Sequence, residues 1–195
     1  VSQQMPLDTD RTAVRLVADL GRRLASRLTD PHRRWAFHLV QADAANAWAL
    51  PGGFIFITRS LLDLCNRNAD EIAFILSHEM GHVVHKDAFD RLAASTLLPA
   101  ASAASPVGRL MMPKVIQVGT RLMQAAYTQD QELEADAFGL QLTASASLDP
   151  AAAIRTMERL HAAHAGQLPE FLAYFSTHPP FPTRIAQMRR LLAAR

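Results

Sequence analysis

Residues 68–85 read NADEIAFILSHEMGHVVH, and this stretch decides the fold. Asn68 followed three places later by Glu71 has the form of a capped helix start. Ile72, Ile75, Leu76, Met80 and Val83 then recur at helical spacing, which predicts a helix over about 68–92. Inside it His78 and His82 stand one turn apart on one face, separated by a rise of about 6 Å. Two imidazoles so placed can reach a single ion, with Glu79 pointing beside it. Zinc takes such nitrogen donors, and a carboxylate next to its bound water can accept that water's proton. His85 shares the face but lies about 10 Å along the axis from His78. It is expected to be structural, because three ligands on one straight helix cannot surround one ion.

Composition narrows what else could hold a metal. The 195 residues include eight histidines and one cysteine, Cys65, so intrachain disulfides and thiolate-rich metal sites are excluded. A hydrophobic content of 49% is ample for one packed domain. The formal charge is only +2, and the arginine doublets 22–23, 33–34 and 189–190 are isolated. Such a chain is not expected to bind nucleic acid.

Any metal would then be held by histidine and carboxylate. Gln131-Glu132-Leu133-Glu134-Ala135-Asp136 lies in a second long helix, expected over about 118–145. Glu132 and Asp136 share a face there, while Glu134 points roughly the other way. If the two helices cross, Glu132 rather than Glu134 completes a site of two histidines and a glutamate. Asp136, one turn on, is placed to accept a hydrogen bond from the far nitrogen of a ligand imidazole.

Elsewhere the pattern alternates between helix and strand. Residues 10–28 read as an amphipathic helix, Trp35–Val40 as a strand, and Phe54–Thr58 as a strand after the Pro51-Gly52-Gly53 turn. Residues 60–66 read as a short helix. Asp149-Pro150 opens another running to about His164, and 183–194 form a terminal one. The segment 93–117 is rich in Ala and Ser and broken by Pro99, Pro106 and Pro113. It suits a lid between the two ligand-bearing helices, with peripheral membrane contact rather than a span.

Four ordered motifs now stand together: Asn46-Ala47…Leu50-Pro51-Gly52-Gly53, His78-Glu79-Met80-Gly81-His82, Glu132-Leu133-Glu134-Ala135-Asp136 and His178-Pro179…Arg184-Ile185. Over residues 35–190 the chain resembles the gluzincin zinc metallopeptidases, the family of HtpX, the CAAX prenyl protease and BepA. Its soluble, envelope-type members are the nearest in character. The resemblance implies a zincin-like α+β fold, mostly helical with a small sheet, as a single metallopeptidase domain over 1–195. It implies one Zn2+ per chain on His78, His82 and Glu132, with Glu79 as general base and a polypeptide as substrate. His178 and Arg184 are the candidates for stabilising the oxyanion, and in BepA-like relatives the matching histidine can instead close the metal site. An edge strand at Phe54–Thr58 would pair with extended substrate. A cell-envelope or periplasmic location is the expectation. One departure is Thr128-Gln129-Asp130, where relatives often carry Ser-Arg. The competing reading is a zinc-stabilised chaperone or assembly module that binds polypeptide without turnover; an intact Glu79 argues against it.

Overall fold

The structure is a computed structural model and describes residues 5–30, 33–85, 127–165, 178 and 181–194. In chain order the elements are α1 (Arg11–Ala25), β1 (Ala36–Val40), β2 (Ala47–Leu50), β3 (Phe54–Thr58) and α2 (Arg59–Leu64). They continue with α3 (Ala69–Val84), α4 (Gln129–Ser145), α5 (Ala152–Ala165) and α6 (Phe181–Ala193). The architecture is therefore a mixed one, helices with a small sheet. The expected lid, 93–117, lies outside the described residues, as does the expected membrane contact. Among the described residues no helix is long and apolar enough to cross a membrane.

The sheet corrects one expectation. Its strand order is β1-β3-β2, with β1 parallel and β2 antiparallel to β3. Phe54–Thr58 is thus the central strand, not an edge. The reason is chemical: all five of its residues are buried, Ile55 and Ile57 against one face and Phe54 and Phe56 against the other. Apolar on both faces, it pairs with a strand on either side, while the equally buried β2 lies at the end of the sheet order. β2 was not anticipated, because Ala47–Leu50 reads as the approach to a turn. Gly52 and Gly53, at φ 94° and 87°, fold the chain back on itself and make that approach a strand. A Cβ at Gly53 would collide with the Arg34 carbonyl oxygen.

The helix that carries the two motif histidines runs through the middle of the core. Every residue from Glu71 to Val83 is buried, because α4, α5, α1 and the sheet all pack on it. Asn68 caps it as expected, accepting from the Asp70 and Glu71 backbone N–H groups. The Glu71 side chain does not return to the cap. It is 2% exposed and accepts from Arg159 on α5 at 3.1 and 3.2 Å, tying the two helices together. α3 runs to Val84, with the His85 N–H donating to the Gly81 carbonyl; the expected continuation to 92 lies outside the described residues.

α4 begins at Gln129, and the part of the expected helix before Tyr127 lies outside the described residues. Thr128 accepts from the Gln131 N–H, and the Gln131 side chain accepts from the Thr128 N–H, a reciprocal cap that sets the helix origin. α3 and α4 approach closely enough to need glycine at the contact. A Cβ on Gly81 would stand 3.1 Å from the Ala135 Cα, and one on Gly139 would stand 3.3 Å from the His78 backbone nitrogen. A branched side chain at Gly139 would push α4 off the turn that carries His78. Gly139→Val is therefore expected to lower the unfolding free energy by about 1–3 kcal/mol in urea titration. An unchanged midpoint would show that the helices do not depend on this contact.

Candidate metal centre

The crossing of α3 and α4 brings the motif side chains together. His78 and His82, one turn apart on α3, place their Nε2 atoms 3.1 Å from each other. Glu132, in the first turn of α4, sets one carboxylate oxygen 3.3 Å from His82 Nε2 and the other 3.6 Å from His78 Nε2. His178 enters from the chain just before α6. Its Nδ1 lies 2.8 Å from Glu132 Oε1 and 3.5 Å from His78 Nε2. One donor atom from each of these four buried residues falls within 4.8 Å of all the others, the arrangement that can hold a metal ion. Glu79 is buried alongside, its Oε1 3.6 Å from His178 Nε2. Glu134, the alternative on α4, is exposed.

Charge and protonation suit a cation at the centre. Asp136 Oδ1 stands 2.9 Å from His78 Nδ1, where it accepts that nitrogen's proton as a hydrogen bond. His78 Nε2 is then left with a free lone pair facing the cluster. Burial holds His78 below its usual pKa, against the pull of Asp136 and Glu132. Burial also depresses His178, against Glu132. For the acids burial acts the other way, yet it is outweighed. Arg184 and His178 hold Glu132 well below the usual carboxylate range, and Arg184 holds Asp136 down likewise. Neutral imidazoles beside ionised carboxylates are the forms in which these groups bind a divalent ion.

Arg184 is placed differently from the expectation of an oxyanion partner. Its side chain is 0% exposed. Nε and Nη2 donate to the two oxygens of Asp136, each at 2.7 Å, and Nη1 lies 2.6 Å from Glu132 Oε2. The guanidinium faces the back of the cluster, where two buried carboxylates need a countercharge.

Tyr127 was not anticipated. Its ring lies on the His82 imidazole, with centroids 3.6 Å apart and planes 2° from parallel. Its only sequence signal is its place directly before the Thr128 cap, four residues beyond which the helix carries Glu132.

The remaining candidates fall away from the centre. His85 is exposed and meets Phe138 edge-on. His38 lies on the sheet, stacked on Phe56. The buried Cys65 thiol is pushed up to about 12, first by burial and then by Glu71, which removes it as a nucleophile.

Comparison with known proteins places this geometry. Residues 14–192 match the family described as Peptidase family M48. The mitochondrial metalloendopeptidase OMA1 of Schizosaccharomyces pombe is 31% identical over 163 residues, which are 82% of this chain and 47% of that protein. The beta-barrel assembly-enhancing protease of Escherichia coli K12 is 29% identical over 197 residues, 94% of this chain and 40% of its own length. The metalloprotease YcaL of the same strain is 29% identical over 154 residues, 76% and 59% respectively. The chain thus spans less than half the length of the first two relatives.

Two acids of one helix can be separated by metal content. Glu132→Ala is expected to lose most bound metal in elemental analysis, whereas Glu134→Ala should retain the wild-type amount. Equal losses would contradict the donor set.

Proposed function

The chain belongs to peptidase family M48, and from that premise we infer that it is a zinc metalloendopeptidase cleaving extended or misfolded polypeptide. The observation that carries the reading is the convergence of His78 Nε2, His82 Nε2 and the Glu132 carboxylate with Glu79 buried beside them. Their separations suit a small divalent ion such as zinc. A tetrahedral ion with bonds of 2.0–2.1 Å holds its ligand atoms about 3.3 Å apart. Bound there, zinc would polarise the scissile carbonyl and acidify a water molecule.

The chain's own residues supply the rest. Glu79 takes the proton of the attacking water and returns it to the leaving amine. Asp136 fixes the tautomer of His78, and Arg184 holds Glu132 and Asp136 in place by facing both carboxylates. Arg184 is therefore a positioning residue.

His178 acts as a gate. Its Nδ1 lies within reach of Glu132 and His78, so it covers the donor atoms a substrate would have to approach. His78, Glu79, His82 and Glu132 are all fully buried, so a peptide bond reaches them only after such a group withdraws. The zincin-like fold follows from the same reading, and β2 takes the role expected of β3. Its outer side has no ladder partner among the described residues and it packs beside α3, so an extended chain can pair with it. An envelope location suits the likeness to a protease named for barrel assembly.

Glu79→Gln is expected to bind zinc like wild type and to lose casein hydrolysis by roughly 10²–10⁴-fold. Undiminished hydrolysis would refute the general base. His178→Ala is expected to hydrolyse casein faster than wild type, and the double variant with Glu79→Gln to be inactive. Zinc-loaded wild type and His178→Ala that both bind unfolded casein without cleaving it would favour the binding module instead.

A further inference from the structure

We propose that Tyr127 is a positioning residue for His82: its ring lies flat on the imidazole and fixes the plane in which Nε2 meets the metal. This rests on the metal-site reading above. The contact is unusually complete, with centroids 3.6 Å apart and planes 2° from parallel. Neutral aromatic rings avoid full face-to-face overlap, because their negative π faces repel. An imidazole that shares its lone pair with a dication is electron-poor, and a tyrosine face attracts an electron-poor partner. The overlap therefore suits the metal-loaded state best, and it links metal affinity to the ring at position 127.

The backbone is built to hold that ring. Tyr127 is 4% exposed and directly precedes Thr128, whose reciprocal bonds with Gln131 fix the first turn of α4. The same turn carries Glu132. One rigid cap thus sets both the carboxylate and the surface against which His82 rests. Asp136 Oδ1 stands 2.9 Å from His78 Nδ1, and the Tyr127 ring covers the face of His82. A phenylalanine would keep the stack, whereas an aliphatic side chain would fill the space without defining a plane. Tyr127 also touches His178, with ring centroids 5.2 Å apart, so the two effects need separating.

The test measures the zinc dissociation constant by competition with a chromophoric chelator, in wild type and again in a His178→Ala background. Groups that orient a metal ligand typically alter affinity 10–100-fold, so Tyr127→Leu should weaken binding by about that factor in both backgrounds, with Tyr127→Phe within about threefold of wild type. The visible spectrum of the Co2+-substituted protein should change in Tyr127→Leu and not in Tyr127→Phe. Wild-type affinity in Tyr127→Leu, or an equal loss in Tyr127→Phe, would overturn the proposal. A second measurement needs no disruptive variant. In zinc-loaded wild type the ring current should shift the His82 ring protons upfield of ordinary imidazole values, and unshifted protons would overturn it equally. Failure of the metal-site reading looks different: His82→Ala would then bind zinc as tightly as wild type.

Discussion

Two carboxylates, Glu132 and Asp136, sit in the interior with no exposure, and one guanidinium faces both of them. Everything else at the centre depends on that contact. An isolated buried carboxylate would take up a proton rather than remain charged. Arg184 keeps Glu132 and Asp136 ionised despite their burial, yet it offsets only one of the two negative charges. The remaining negative charge is directed at the two imidazoles, where it would attract a cation. The arginine therefore does more than stabilise α6 against α4. It keeps Glu132 and Asp136 ionised beside the two imidazoles, the form a carboxylate needs to bind a cation.

This arrangement explains why the centre is assembled from distant parts of the chain. α3 supplies two nitrogen donors and Glu79, α4 supplies the carboxylate, and the segment around α6 supplies His178 and Arg184. The parts meet only because the α3–α4 crossing is close, with glycine at 81 and 139 where a side chain would intrude. The sheet shields α3 from the other side and presents β2 beside it. Packing at the crossing, charge at the guanidinium and the place of His178 all bear on one cluster, and Arg184 touches both Glu132 and the His178 carbonyl.

Much of this could be read from residue spacing, and the misses have physical reasons. His78 with His82, and Glu132 with Asp136, are pairs one helical turn apart, so helix geometry alone puts each pair on a common face. The strand Phe54–Thr58 was recognisable from its β-branched and aromatic run, but its central position depends on burial of both faces. β2 was hidden because Ala47–Leu50 is too short to show alternation. Glu71 was expected to complete a cap and instead pairs with Arg159, since only the fold brings α5 over the start of α3. The real reciprocal cap, Thr128 with Gln131, carries a readable signature that is obscured if the helix is assumed to begin upstream. Arg184 could be picked out as important, but its direction could not, because pattern does not say which side of a site a long side chain approaches from. Tyr127 needed both the cap and the helix crossing before its ring could be placed on His82.

The central claim is that one divalent metal is held between His78, His82 and Glu132. X-ray diffraction data collected above and below the zinc absorption edge, from crystals of the zinc-loaded protein, test it most directly. A single anomalous peak is predicted within bonding distance of His78 Nε2, His82 Nε2 and a Glu132 carboxylate oxygen, vanishing below the edge. No peak there, or a peak on other residues, would contradict the account.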